Sequence, residues 1–216
     1  MKSARAYSGS VVLPDGRLWV TGGLDGNSIL KTTEILKETS DGIWKSQKGP
    51  DLPKPLFGHC VEMLRNGNVL LSGGFNGDNQ EDITKEFEWI NDLSGKWSTK
   101  DWSASKYKRY DHSCFAKQGM VEVFGGWNAD VSKTLKPERY NQTSRKWETL
   151  EQEHNEIDTT LPYILRSATI GISGGKLALI GGVSCEIVNV SSGKKSCKKH
   201  KEVYELDTNN LSNALE

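Results

Sequence analysis

The stretch Arg5–Gly23, "RAYSGSVVLPDGRLWVTGG", contains an apolar segment, a turn with a glycine, and a second apolar segment that ends in Gly-Gly. Two short apolar segments joined by such a turn are typical of a β-hairpin. The arrangement returns as "KPLFGHCVEMLRNGNVLLSGG" from Lys54, "KRYDHSCFAKQGMVEVFGG" from Lys108 and "LRSATIGISGGKLALIGG" from Leu165. The chain is therefore predicted to be a fourfold repeat of strands.

The Gly-Gly pairs set the period of this repeat. Their first glycines are 51, 52 and 56 residues apart. Repeats of this length made of short strands are typical of a β-propeller, in which neighbouring blades bury each other's faces. Because glycine allows positive φ and close approach of backbone, we expect structural roles for Gly22, Gly23, Gly73, Gly74, Gly125, Gly126, Gly181 and Gly182.

Each repeat also predicts two outer strands. The third strand is expected where an acidic residue lies among apolar or aromatic residues, at Glu34, Glu88, Glu138 and Glu202. A tryptophan then follows 22 to 24 residues after the first glycine of the pair, at Trp44, Trp97 and Trp147. Since tryptophan buries a large apolar area, these three are predicted to fill the seams between blades. Leu211 takes this position in the fourth repeat, so the last blade is expected to close weakly.

The basic residue, the two apolar strands ending in Gly-Gly, the aromatic residue and the tryptophan at fixed distances together resemble the kelch repeat. The resemblance extends over almost the whole chain and implies one all-β, kelch-type propeller domain at residues 1–216. Four four-stranded blades are expected at about 1–48, 49–104, 105–160 and 161–216, the last one atypical. Because kelch propellers usually close with about six or seven blades, a fragment or an open arc is favoured over a four-bladed ring.

The resemblance implies a protein-binding scaffold that recognises a protein or peptide through the loops at one end of the propeller. One alternative is the substrate receptor of a cullin ubiquitin ligase, which requires BTB and BACK helices outside this chain. Another is a fragment of a secreted enzyme similar to galactose oxidase. Glu88 and Asp92 fit half of the iron motif of nitrile-specifier-like kelch proteins, but Lys96 stands where that motif has histidine. We therefore expect no catalytic residue, no metal and no cofactor.

The candidate binding residues lie in loops and first strands. A cation recurs ahead of the first strand at Arg5, Lys54, Arg109 and Arg166, and four such groups could gather an acidic peptide. The alternative is that each charge is satisfied within its own blade. Trp127 follows Gly126 outside the periodic set and is interpreted either as a partner anchor or as packing over the neighbouring blade. His59 and His112 occupy equivalent strand positions and complete the candidate set.

The four cysteines give two further predictions. Cys185 and Cys197 lie symmetrically about residue 191, so paired strands would place them opposite one another at disulfide distance, with free thiols as the alternative. Cys60 and Cys114 lie on equivalent first strands but are offset by one position. Alternation along a strand predicts that they point to different faces, so a bridge between them is not expected.

Charge and composition bear on which classes of partner the chain could bind. Lys plus Arg and Asp plus Glu number 28 each, so no global field attracts nucleic acid. The run "GKKSCKKHK" at residues 193–201 is interpreted as a solvated hairpin tip. No apolar run is long enough to span a bilayer, whereas blade edges left open would allow self-association. Cytoplasmic and extracellular locations both stay open.

Overall fold

The computed structural model describes residues 1–77, 87–89, 96–98, 105–127, 135–150, 168–172, 176–189 and 194–207. All regular secondary structure in these ranges is β-strand, which confirms the predicted all-β class. No helix in the described part of the chain is long and apolar enough to cross a membrane.

The strands form four antiparallel sheets that follow one another along the chain. Sheet 1 contains β1 (Gly9–Val12), β2 (Leu18–Thr21), β3 (Thr33–Glu38) and β4 (Trp44–Lys48). Sheet 2 contains β5 (Cys60–Met63), β6 (Val69–Ser72), β7 (Phe87–Trp89) and β8 (Trp97–Ser98). Sheet 3 contains β9 (Ser113–Lys117), β10 (Met120–Phe124), β11 (Glu138–Asn141) and β12 (Lys146–Thr149). Sheet 4 contains β13 (Ala168–Ile172), β14 (Lys176–Asn189) and β15 (Lys194–Asp207).

Each sheet is a meander of strands that neighbour one another in sequence, and tight turns close the first hairpins. Between β9 and β10, Gln118 and Gly119 both have positive φ, at 50° and 83°. Two such residues in a two-residue loop match the type I′ turn, whose twist suits a hairpin. Between β1 and β2, the backbone N–H of Gly16 donates to the Leu13 carbonyl at 2.9 Å. The hairpins predicted from the glycine turns are thus present in the structure.

Sheet 2 stacks between sheets 1 and 3 because it is apolar on both faces. In sheet 2, Val69 and Leu71 join Trp19 of sheet 1 in one buried cluster. Leu70, which points to the other face, joins Val121 of sheet 3 in a second cluster. The first strands β1, β5, β9 and β13 contact each other in that order. The described residues therefore show a row of four sheets, and they do not show a closed ring.

Glycine pairs make a close backbone contact between neighbouring sheets. The N–H of Gly23 donates to the Leu56 carbonyl at 2.8 Å, and the N–H of Gly74 donates to the Arg109 carbonyl at 2.9 Å. A Cβ on Gly73 would overlap that Arg109 carbonyl oxygen, and the residue has φ of +60°. Only glycine meets both conditions without strain, so the predicted structural role is confirmed for these pairs.

The fourth pair behaves differently from the others. Gly181 and Gly182 lie inside β14 rather than at a strand end, and the pairing with β15 shifts register between Ile180 and Gly182. The expectation that every pair ends its strand is therefore wrong for sheet 4. Its described part has three strands, and Leu211 lies outside the described residues. Further along the same ribbon Cys185 pairs with Cys197, as the symmetry about residue 191 predicted for the backbone.

Two of the three periodic tryptophans lie at seams. The Trp97 ring is centred 6.0 Å from that of Trp19, and the Trp147 ring 5.4 Å from that of Tyr140. For Trp44 the prediction is wrong, because its side chain is 48% exposed. In sheets 2 and 3 the tryptophan of the fourth strand pairs with an aromatic residue of the third strand, Trp97 with Trp89 and Trp147 with Tyr140. The equivalent position on the fourth strand of sheet 1 is Ser46, which pairs with Leu36. Trp44 comes two residues too early and lies on a face that no neighbouring sheet covers in the described residues.

We expect Gly73→Ala to lower the free energy of unfolding by at least about 2 kcal/mol more than Gly16→Ala. Both glycines have positive φ, at +60° and +82°, but a Cβ on Gly16 meets no atom within 4 Å. The difference between the two variants therefore isolates the close approach to the Arg109 carbonyl. Urea unfolding followed by tryptophan fluorescence measures it. Equal losses in the two variants would show that the seam accommodates a methyl group.

Candidate binding surface

The recurring cations are not displayed at the surface. The Arg5 side chain is 1% exposed, donates to the Gly22 and Thr32 carbonyls at 2.9 and 2.8 Å, and lies 3.3 Å from Glu34. The Arg109 side chain is 2% exposed and forms a 2.7 Å ion pair with Glu138. It also donates to the carbonyls of Gly125 and Lys136, both at 2.9 Å. The suggested docking ring for an acidic peptide is therefore wrong for these two arginines, whose charges are satisfied within their own sheets.

Glu34, the carboxylate that pairs with Arg5, is stabilised in its charged form. Burial alone would raise the pKa of Glu34, but hydrogen bonds outweigh it and lower the pKa to about 2. The donors include the backbone N–H groups of Lys2 and Ser3, at 2.6 and 3.0 Å from the carboxylate. Glu138 receives the N–H groups of Lys106 and Tyr107 in the same way. Each carboxylate thus ties the start of its repeat to the third strand.

Sheet 2 has apolar residues at the two positions where sheets 1 and 3 have the arginine and the glutamate. The isolated bridges Ala6–Leu24, Phe57–Phe75 and Tyr110–Trp127 align the three repeats. They place Leu56, which is fully buried, at the position of Arg5 and Arg109. Phe87 pairs with Leu71 in the register where the other two sheets have their glutamates. Lys54 lies two residues away, so its assignment to the cation set is wrong, and Arg166 lies outside the described residues.

His59 and His112 are also buried in the seams rather than available to a partner. His59 lies with Nε2 2.8 Å from the Thr21 hydroxyl oxygen of sheet 1, and burial lowers its pKa to about 4. Neither ring nitrogen of His112 has a hydrogen-bond partner among the described residues. Burial, together with the nearby charge of Arg109, lowers the pKa of His112 well below its usual value, and protonation of His59 in acid would lower it further. Both imidazoles are therefore neutral groups packed between sheets.

The surface next to these buried groups is aromatic. We call Tyr7, Phe57, Phe75, Tyr110 and Trp127 the aromatic rim. The Phe57 ring is centred 6.3 Å from Tyr7, 5.5 Å from Phe75 and 6.1 Å from Tyr110. Tyr7 is 46% exposed, and the other four are partly exposed. Residues from three successive sheets thus form one continuous surface that water reaches.

Inter-sheet hydrogen bonds hold the backbone of the aromatic rim. The N–H of Gly58 donates to the Tyr7 carbonyl at 2.9 Å, and the N–H of Asp111 donates to the Gly58 carbonyl at 2.7 Å. These three equivalent residues all have positive φ, at 54°, 63° and 53°. For a tyrosine this conformation costs about 1–2 kcal/mol. The fold therefore maintains strain at the most exposed ring of the rim, which is a feature common at binding sites.

Trp127 is the only rim residue that the sequence analysis singled out. A signal for others was present, because an aromatic residue directly follows Gly-Gly at Phe75 as well as at Trp127. A second aromatic stands one residue after the aligned cation position, at Phe57 and Tyr110. The paired bridges between these positions require the strand register, which the sequence pattern alone did not give.

Cys60 and Cys114 form a disulfide between β5 and β9, which corrects the expectation that they would not pair. The two cysteines do lie on opposite faces of their own sheets, as alternation requires. However, the face of sheet 2 that carries Cys60 packs against the face of sheet 3 that carries Cys114. Opposite faces of successive sheets meet at a seam, so the offset of one position brings the sulfurs together.

We expect Arg109→Leu and Glu138→Phe each to lower the free energy of unfolding by about 3–5 kcal/mol, because each substitution leaves the other member of the buried ion pair without its counterion. The double variant should cost at least about 2 kcal/mol less than the sum, because it reproduces the apolar pair of sheet 2. Arg17→Leu is the control, since Arg17 also lies 2.7 Å from a carboxylate, that of Asp15, but is partly exposed. Its effect should stay below about 1 kcal/mol. Strict additivity in the cycle would contradict the interpretation.

The buried histidines predict a loss of stability in acid. With the folded-state pKa of His59 at about 4 and the usual value at 6.5, the unfolded chain binds the proton first. The free energy of unfolding should therefore fall as the pH falls from 6.5 to 4, by about 1.4 kcal/mol per pH unit for each such histidine. His59→Gln should make this dependence shallower. Urea titrations at several pH values test this, and an unchanged slope would rule out His59 as the source.

Comparison with known proteins gives limited information about this surface. No protein-family profile matches the chain. The chain is 26% identical over 121 residues to the protein named Spermatocyte protein spe-26 of Caenorhabditis elegans, an alignment that covers 56% of this chain. It spans 20% of the length of that relative. At this identity and coverage the similarity does not establish a family.

Proposed function

We propose that the chain is a kelch-type protein-binding scaffold, in which the four sheets are blades of a β-propeller and the aromatic rim contacts a protein or peptide. The observation that carries the proposal is the aromatic rim itself. It joins one exposed ring and several partly exposed rings from the loops of three successive sheets. Neighbouring ring centres among Tyr7, Phe57, Phe75 and Tyr110 are 5.3 to 6.3 Å apart, and Trp127 is joined to Tyr110 by a backbone bridge. Loops presented by a rigid scaffold are where binding residues are most often found.

The repeated contacts between sheets support the propeller architecture. The same glycine N–H donates to the carbonyl of the next sheet at two successive seams, at 2.8 and 2.9 Å. The Arg5–Glu34 and Arg109–Glu138 pairs repeat in sheets 1 and 3 at equivalent positions. Identical contacts at successive interfaces are expected of repeats that stack with a constant rotation. Together with the kelch-like sequence pattern, they favour blades of one propeller.

The charges indicate what kind of segment the rim binds. Because Arg5 and Arg109 are buried in internal ion pairs, these two cations do not attract an acidic peptide. The accessible part consists of aromatic rings, two of them with a phenolic hydroxyl. Rings of this kind supply a large contact area and have few torsions to immobilise. The partner is therefore an extended segment with apolar side chains, such as proline or leucine, rather than an acidic one.

The fixed backbone of the rim makes it suitable for binding. Association costs less free energy when the surface is ordered before the partner arrives. The hydrogen bonds that join Tyr7, Gly58 and Asp111 across two seams order the rim in the free protein. We propose that the chain binds its partner without transforming it.

Tyr7→Gly tests this function without endangering the fold. Glycine adopts the positive φ of 54° freely, so the melting temperature should not fall, while the exposed ring is lost. The full chain is first used to select peptides from a display library, and the affinity of one synthetic peptide is then measured by calorimetry. We expect Tyr7→Gly and Tyr110→Ala to weaken binding by at least about 2 kcal/mol, or roughly thirtyfold.

Ile43→Ala is the matched control, since Ile43 is 55% exposed but lies in the turn between β3 and β4. Its affinity should equal that of the unchanged chain. Failure of the library to yield any binder, or equal affinities for all variants, would count against a binding role for the rim.

A further inference from the structure

The disulfide between β5 and β9 has a carboxyl group beside it. Cys60 and Cys114 have Cα atoms 6.2 Å apart, within the range that a disulfide spans without moving the backbone. Glu62, two residues after Cys60, has its Oε1 atom 3.4 Å from Cys114 Sγ. The three groups lie within 4.8 Å of one another at the seam between sheets 2 and 3. Neither the fold nor the aromatic rim requires a carboxyl group at this place.

The two sulfurs differ in their access to solvent. Cys114 is 7% exposed, whereas Cys60 is only partly buried. A small molecule from solution therefore reaches Cys60 first. Cys114 is left to act from within the seam, where the nearest group that can accept its proton is the Glu62 carboxylate.

The surroundings of Glu62 keep its proton exchangeable near neutral pH. Burial raises its pKa to about 7, although a hydrogen bond from the Ala116 backbone lowers it in part. Val121 and Val123 of sheet 3 pack in the same seam and carry no charge. The buried ionisable groups near the two cysteines in sequence are His59 and His112, which burial keeps neutral. Glu62 of β5 and Glu88 of β7 both pair with Leu70 of β6, so the two glutamates occupy the same cross-strand row of sheet 2.

We propose that Cys60–Cys114 is a reversible redox site that exchanges with small disulfides and thiols such as glutathione, and that Glu62 accepts the proton of Cys114 when the bond closes.

Closure of the reduced site proceeds in two displacements. The Cys60 thiolate attacks oxidised glutathione, forms a mixed disulfide and expels one glutathione thiolate, which takes up the proton that Cys60 lost. Glu62 then removes the proton from Cys114, and the Cys114 thiolate attacks Cys60 Sγ. The second glutathione thiolate leaves and receives the proton from Glu62. The two cysteines are oxidised by two electrons, and glutathione disulfide is reduced to two thiols.

The carboxylate matters most for the second displacement. A thiol buried among apolar side chains ionises reluctantly, so its reactivity depends on a nearby base. A base whose pKa lies close to the working pH transfers protons most effectively. Glu62 meets both conditions by its position 3.4 Å from Cys114 Sγ and by its surroundings.

The experiment uses the full chain with Cys185→Ser and Cys197→Ser, so that only the seam cysteines react. The reduced protein is mixed with oxidised glutathione between about pH 6 and pH 9. Samples are quenched by alkylation, and mass spectrometry counts free thiols, mixed disulfide and closed disulfide. We expect one closed bond between the peptides that contain Cys60 and Cys114. With Cys114→Ser, a glutathione adduct should accumulate on Cys60.

Glu62→Gln keeps an acceptor for the Ala116 N–H but cannot take a proton. We expect it to slow conversion of the mixed disulfide into the closed bond by about tenfold or more near neutral pH. Glu38→Gln, which changes an exposed glutamate on sheet 1, should leave this rate unchanged. Circular dichroism checks that each variant is folded.

Two results would overturn the proposal directly. One is that Cys60 and Cys114 fail to form the closed disulfide. The other is that the chain with Glu62→Gln and the unchanged chain have equal closure rates and pH profiles. If Glu62→Gln does not fold, the pH profile of the unchanged site decides. An inflection near the Glu62 pKa of about 7 supports the proposal, and a rate that rises only with thiol ionisation rejects it.

Discussion

The hydrogen bond from a Gly-Gly N–H to a carbonyl of the next sheet is the contact on which the arrangement of this molecule depends. It occurs from Gly23 to Leu56 and from Gly74 to Arg109. The bond satisfies a donor that the seam would otherwise bury unpaired, and it brings two backbones so close that a Cβ on the preceding glycine, Gly22 or Gly73, does not fit. This approach sets the distance between sheets, and therefore the space that the apolar layers of both seams must fill.

The residue that accepts this bond also stabilises its own sheet. The Arg109 carbonyl binds the preceding sheet, while its side chain turns back to Glu138 on β11. Leu56 has the same two roles with an apolar side chain, since its carbonyl binds Gly23 and its side chain is fully buried. The position is therefore constrained to be buried rather than to be charged. A buried ion pair and apolar residues at the same positions can be close to equivalent in free energy, which explains why both occur in repeats of one chain.

Regularities within a sheet could be predicted from the sequence, because their periods are short. The hairpins, the third strands and the pairing of Cys185 with Cys197 all follow from local spacing and alternation. Features that depend on how sheets stack could not be predicted in this way. Lys54 resembles the arginines in charge, but the backbone bridges place Leu56 in their register. Trp44 matches the tryptophan spacing, yet it is 48% exposed because it lies on a face of sheet 1 that no neighbouring sheet covers in the described residues. Alternation along one strand does not predict the Cys60–Cys114 pairing, because the two sulfurs meet only where opposite faces of successive sheets stack.

The seam between sheets 2 and 3 connects the aromatic rim with the Cys60–Cys114 disulfide. Phe57 and Cys60 lie three residues apart on one chain segment, and Tyr110 and Cys114 lie four apart on the facing one. The rings of Phe57 and Tyr110 are centred 6.1 Å apart, and the sulfurs below them are bonded. Because β5 and β9 carry both pairs, any change in their separation alters the spacing of the rings as well. A covalent bond at this level limits such a change, so the geometry of the aromatic rim is tied to the chemistry of this seam.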